Sequence, residues 1–185
     1  MYPARHGVRP KAQNWNKNHP RLVEAFHLLK QKRAAKGLKL ALVGKKGWLC
    51  DDLFDRVKEL GLTKDLVITG AVPDKDLPAL MNGALLFAYP SLCEGFGLPV
   101  LEAMACGVPV ISSNLSSLPE VAGDAAVLVN PRDVEELAGA MRQLVESQEI
   151  RAELRGKGLA QAARFSWQRA ARETLIAYLA VLGQS

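Results

Sequence analysis

The chain has 185 residues, 49% of them hydrophobic and 23% charged, enough to bury one core of its own. No apolar run reaches membrane-span length and no signal-peptide pattern opens the sequence, so a cytoplasmic protein is the expectation. A net charge of +5 fits an anionic partner, although the basic residues are spread along the chain, and charge alone does not separate nucleic acid from a phosphorylated small molecule; no aromatics are interleaved with the basic residues to favour nucleic acid.

The elements follow in chain order. Residues 1–16 show neither helical nor strand period and are read as an irregular or disordered segment, leaving 17–185 as the folded domain. "HPRLVEAFHLLKQKRAAKG" then predicts a helix, with Pro20 at its start, Leu22, Phe26 and Leu29 at helical spacing, and a stop at Gly37. "LKLALVG" predicts a buried strand. A helix over about 51–60, the strand "DLVITG", a short helix over about 75–82 and the strand "LLFAYPS" come next. "GLPVLEAMACG" predicts a helix stopped by Gly107, "VPVISS" a strand, "SLPEVAG" a short helical turn and "AAVLVNP" a last strand. Two helices, from about Val134 and from Ser166, close the chain. Such alternation predicts an α/β fold, a Rossmann-like parallel sheet with helices on both faces. Three scattered cysteines, Cys50, Cys93 and Cys106, have no CxxC spacing and are read as buried thiols.

In a fold of this kind ligands sit outside the C-terminal ends of the strands. Those ends carry Gly44-Lys45-Lys46-Gly47, Gly70-Ala71-Val72-Pro73, Ser91 through Gly97, and Ser112-Ser113-Asn114. The densest stretch is "SLCEGFGLPVLEAMACGVPVI". Gly95 and Gly97 allow a tight turn and close approach of a ligand to main-chain N–H groups at a helix start, a place for phosphate. Pro99 suits the first helical turn. Leu98, Leu101 and Ala105 are read as the buried stripe of that helix, with Glu102 on its edge. A carboxylate there can accept from two neighbouring sugar hydroxyls, and Glu94 can accept from those of a second sugar. Amides for phosphate and carboxylates for sugars describe a nucleotide-sugar. The competing reading is bland: Glu102 complements a helix dipole and Glu94 is solvated.

From about Lys17 to Gly183 the sequence resembles the C-terminal, donor-binding half of GT-B fold glycosyltransferases of group 1 (family four). The residues that carry it are "YPSLCEGFGLPVLEAMACGVPVISSNLSSLPEVAG", with the family's E-x7-E spacing between Glu94 and Glu102. The resemblance implies a retaining, metal-independent enzyme that transfers a hexose from a UDP- or GDP-sugar and uses no cofactor. It implies that Glu102 holds the ribose hydroxyls and that Glu94 contacts the transferred sugar. The backbone of Gly95, Phe96, Gly97 and Leu98 would line the sugar and phosphate, Val72 would contact the base, and Lys17 would bind the diphosphate. Gly44, Lys45 and Ser91 complete the candidate donor contacts, with Glu94 and Lys17 as the catalytic pair and no metal ligand.

The departures are as informative. The family enters this half through a buried strand ending in glycine and a Pro-Arg-Lys-Asn-like run, whereas here the run is Trp15-Asn16-Lys17-Asn18 and nothing before it has strand character. No acceptor-binding N-terminal half is present, so the chain reads as half of a two-domain enzyme, inactive alone, which in full length could sit at a membrane surface. The last helix, with Trp167, Ala171, Leu175, Tyr178 and Leu182 at helical spacing, could meet another copy of the chain. A non-catalytic α/β nucleotide-binding or regulatory module is the alternative. Asp74-Lys75-Asp76 is read as helix capping rather than a metal site, and His6, His19 and His27 as surface or loop residues.

Overall fold

The computed structural model describes residues 17–44 and 51–183. Its elements are helix α1 (His19–Lys30) and a 3-10 turn (Arg33–Ala35), strand β1 (Leu40–Val43), α2 (Asp51–Glu59) and β2 (Leu66–Gly70). A second 3-10 turn (Asp74–Asp76), α3 (Leu77–Asn82) and β3 (Phe87–Tyr89) follow, then α4 (Leu98–Ala105), β4 (Val110–Ser113), α5 (Leu118–Ala122) and β5 (Ala126–Val129). Three helices end the chain, α6 (Val134–Glu146), α7 (Gln148–Ala162) and α8 (Trp167–Val181).

The strands pair in parallel as two sheets, β1 with β2, and β3, β4, β5 in that order. Helix α1 fixes their common direction. At its start the buried Asn18 amide donates to the carbonyl of Pro90, just past β3, at 3.1 Å. At its end Lys30 Nζ donates to Leu38 O at 3.2 Å and to Asp65 Oδ1 at 3.1 Å, the residues that lead into β1 and β2. The helix therefore runs from the C-terminal end of one sheet to the N-terminal end of the other, antiparallel to the strands of both. All five strands point the same way, and their C-terminal ends share one edge.

Helices cover both faces. On one side Leu22, Phe26 and Leu29 of α1 and Leu137, Met141 and Leu144 of α6 pack with Leu42, Ile111 and Val129. On the other, Val100, Leu101 and Met104 of α4 pack with Val110 and with Leu118 and Val121 of α5. Adjacent residues of β4 thus enter opposite clusters, the period-two alternation of a strand buried on both faces.

Four sequence expectations need correcting. The first helix, expected to run to Gly37, ends at Lys30, and only a 3-10 turn (Arg33–Ala35) continues it. Strand β1 is not buried throughout: Leu42 is, whereas Ala41 and Val43 face outward. A short apolar run cannot tell whether a second face is covered. The stretch from Val134, read as one helix, is two, because Ser147 turns extended (φ −110°, ψ 114°) and accepts from Ile150 N as the N-cap of α7. Asp74 and Asp76 stand at helix starts but make no side-chain capping bond.

Candidate functional site

Strand β3 delivers the site. Past Tyr89, Pro90 and Ser91 are buried and the chain turns so that the Glu94 carboxylate lies back over the strand end. Three donors converge on one of its oxygens, Oε1: Lys17 Nζ at 2.6 Å, Ser91 Oγ at 2.6 Å and Tyr89 Oη at 2.9 Å. Lys17 also donates to the Tyr89 hydroxyl and lies 4.6 Å from the centre of its ring. Partial burial pushes the Glu94 carboxyl up, but the bonds from Lys17, Ser91 and Tyr89 outweigh that and hold it below its ordinary range. Tyr89 moves the other way: burial, then the bond and charge of Glu94, then the charge of Glu102, raise its phenol well above the usual value. Glu94 is therefore a fixed anion and Tyr89 a fixed donor.

Lys17 reaches this place because Asn18 is left-handed (φ 58°) and buried, with its amide on the carbonyls of Pro90 and Pro131 and its Oδ1 accepting from Arg21 at 3.1 Å. His19, expected at the surface, has a buried Nδ1 with no partner among the described residues; burial and then the Lys17 charge lower its pKa.

Gly97 then turns the chain into α4 with φ 111°, and a Cβ there would stand 2.5 Å from Leu118 Cδ2. Only glycine fits both the angle and the space. Pro99 occupies the first turn. At the far end, Gly107 (φ 68°) with the bonds Gly107 N to Met104 O and Val108 N to Ala103 O closes a Schellman motif. The buried stripe differs from the expected one. Val100, Leu101, Ala103 and Met104 are inside, while Leu98, Glu102 and Ala105 share the exposed face. A helix apolar at nearly every position does not reveal its phase; packing of Met104 on Gly158 of α7 sets it. The Glu102 carboxylate is exposed and makes no hydrogen bond or ion pair among the described residues, and its charge acts on the Tyr89 phenol at the end of β3.

The other strand ends join the same edge. Gly44 (φ 147°) donates its N–H to Gly70 O at 3.1 Å, and Val72 is half-buried in the loop after β2. Lys45 and Cys50 lie outside the described residues. Gly95 and Phe96 are exposed, and the Phe96 ring meets Phe165 edge-on at 5.9 Å. Ser91, expected beside the ligand, is buried and donates to Glu94. Cys93 is exposed in the loop and Cys106 half-buried, so the buried-thiol expectation fails for Cys93. Sequence reasoning missed Tyr89, Asn18 and the Ser116-Ser117 pair. Tyr89 had a signal, a hydroxyl on the last residue of a strand that ends at a glutamate loop; the others had none.

The family model for glycosyl transferases group 1 matches residues 11–161. The chain is 42% identical over 163 residues to the O-antigen chain mannosyltransferase B of Escherichia coli, an alignment spanning 88% of this chain and 42% of that protein. It is 32% identical over 178 residues to the GDP-mannose:cellobiosyl-diphosphopolyprenol alpha-mannosyltransferase of Komagataeibacter xylinus, over 90% and 44% respectively. Among solved structures, the C-terminal domain of a glycosyl transferase group 1 family protein (LpcC) from Francisella tularensis superposes with a TM-score of 0.71 at 24% identity, covering 80% of this chain and 79% of that one. The chain thus spans less than half the length of the two mannosyltransferases it matches.

Proposed function

Because the chain belongs to the glycosyl transferases group 1 family, we propose that residues 17–183 form the donor-binding half of a retaining, metal-independent hexosyltransferase. The proposed donor is a nucleoside-diphosphate hexose, with GDP-mannose first because both full-length relatives are named mannosyltransferases and one is named for that donor. The observation that carries the reading is the meeting, at one sheet edge, of the Lys17–Glu94 pair, the glycine turn that starts α4, and the exposed Glu102.

Each group has a task suited to its chemistry. Glu102 accepts from both ribose hydroxyls, since its carboxylate is exposed and makes no other bond. With three donors gathered on Oε1, Glu94 keeps Oε2 for a hydroxyl of the hexose. The N–H groups at the start of α4 and the Lys17 ammonium receive the diphosphate and stabilise the charge that grows on it as the bond to the sugar breaks. Val72 and Gly44 flank the nucleoside at the neighbouring strand ends. Retention of configuration rests on the family resemblance, and acceptor recognition is assigned to a second, N-terminal domain on the same ground.

Calorimetric titration of the 185-residue chain with GDP-mannose, GDP, UDP-glucose and UDP tests this. Glu102→Ala should weaken every nucleotide by about 2–4 kcal/mol, the value of two hydrogen bonds to a charged acceptor, with an unchanged circular dichroism spectrum. Glu94→Ala should weaken GDP-mannose and spare GDP. No binding of any of the four at millimolar concentration would sink the donor reading in favour of a non-catalytic module.

A further inference from the structure

Two non-glycine residues have left-handed backbones among those described, Asn18 and Ser116 (φ 59°). Serine gains nothing intrinsic from that conformation, so something must hold it there. What Ser116 touches is the backbone of Glu94. Its Oγ donates to Glu94 O at 2.6 Å and lies 3.3 Å from Glu94 N, whose N–H it accepts. The next residue continues the contact: Ser117 Oγ lies 3.1 Å from Glu94 O and 2.8 Å from Phe96 O as donor. Leu118 follows, with its Cδ2 beneath Gly97. Ser116 and Ser117, the last loop residues before α5, and Leu118, its first, thus grip three points along the turn from Glu94 to Gly97.

We propose that Ser116 and Ser117 are positioning residues, a hydroxyl clasp that fixes the turn carrying Glu94 and so sets the sugar end of the donor site; this rests on the donor-binding reading above. Gly95 and Gly97 make the turn the most pliable part of the edge, and Gly95 has nothing within van der Waals reach of a Cβ position. Its carbonyls and the Glu94 N–H need partners supplied from outside the turn, and the two hydroxyls supply them. The left-handed Ser116 backbone aims its side chain at both polar groups of one peptide segment. Asn18 grips the preceding Pro90 carbonyl from the α1 side, so the Pro90–Phe96 segment is held from two directions. Neither serine is assigned to donor contact: each acts through Glu94 and the turn amides.

The test uses the 185-residue chain as wild type, Ser116→Ala, Ser116→Gly, Ser117→Ala and Ser117→Thr. Hydrogen exchange is followed over residues 93–98, alongside calorimetry with GDP-mannose and GDP. Ser116→Ala keeps the strained backbone and removes the hydroxyl; Ser116→Gly removes both. Both variants and Ser117→Ala should exchange the turn amides at least fivefold faster, with β4 and α6 at wild-type rates, and should bind GDP-mannose about tenfold more weakly and GDP less than threefold more weakly. Ser117→Thr, which keeps the hydroxyl, should match wild type. Unchanged turn exchange, a Ser116→Gly variant as tight as wild type, or equal losses for GDP and GDP-mannose would overturn the proposal. Faster turn exchange in a chain whose wild type binds no nucleotide would overturn the donor role and leave the clasp as a property of the turn alone.

Discussion

The Lys17–Glu94 pair can be measured without any ligand by a double-mutant cycle. Glu94→Gln removes the charge and leaves an amide oxygen that Ser91 and Tyr89 can still reach; Lys17→Met removes the ammonium and keeps most of the stem. A charge-assisted hydrogen bond of this kind contributes about 1.5–3 kcal/mol when well buried. Here the Glu94 side chain is 16% exposed but that of Lys17 is 36% exposed, so solvent screening brings the expected coupling to about 1–2 kcal/mol. Urea unfolding of the wild type, the two singles and the double at pH 7 should yield it. The pH dependence has a definite sign. The folded carboxyl is held below its unfolded value of 4.5, so the stabilisation is complete above that value and is lost as the pH falls through the lower folded one. Repeating the cycle in steps below pH 4.5 should show the coupling fade. A coupling under about 0.5 kcal/mol at pH 7, the ordinary scatter of independent sites, or one that persists in full at the acid end, would refute the pairing.

Gly97→Ala should destabilise the chain by about 2–4 kcal/mol in urea unfolding, because the new methyl meets Leu118 at 2.5 Å and the residue must still hold φ 111°; a loss below 1 kcal/mol would show that α5 yields. Amides of α8, which has no buried residue, should exchange far faster in this chain than those of α4, since a fifteen-residue helix without tertiary burial is marginal in water; equal protection would show that its apolar face is covered.

How much of this could be read beforehand depends on what each segment asks of its neighbours. Strand order, the alternation of strands with helices up to β5, the helix stop at Gly107 and the start of α4 are local properties, written in apolar period, Pro99 and the glycines, and they stand as expected. The phase of α4 is not local: with Glu102 as its one charged residue, rotation by one position costs no obvious burial until α7 presents Gly158 to Met104. The break at Ser147 did have a local signal: Val145 and Ile150 stand five apart, off the helical spacing, and a serine followed by Glu149 in the next turn is an N-cap pattern. At the site, the glutamate pair and Lys17 were legible as types and spacings. That Lys17 meets Glu94 was not, since the two are 77 residues apart and their pairing exists only once α1 has been laid across the sheet; Ser91 and Tyr89, three and five residues from Glu94, were within local reach.

Left-handed backbone is distributed over the molecule in a way that separates folding from the site. Gly61, Gly107, Gly123 and Gly183 follow helices, and Gly37 follows the 3-10 turn after α1; each is a helix stop at which glycine has no steric cost. Gly44, Gly70 and Gly97 instead lie at the C-terminal ends of β1 and β2 and at the entry to α4, along the edge that carries Glu94. Both non-glycine cases, Asn18 and Ser116, fall on that same edge, and neither ends a helix. Glycine would have served either position with less strain, at the loss of the bonds to Pro90, Pro131 and Glu94 that these side chains make. Conformational strain in side-chain-bearing residues is thus concentrated where it orders the strand-end loops, and it is offset by hydrogen bonds to those same loops. A turn needed only to connect β3 with α4 would not require it.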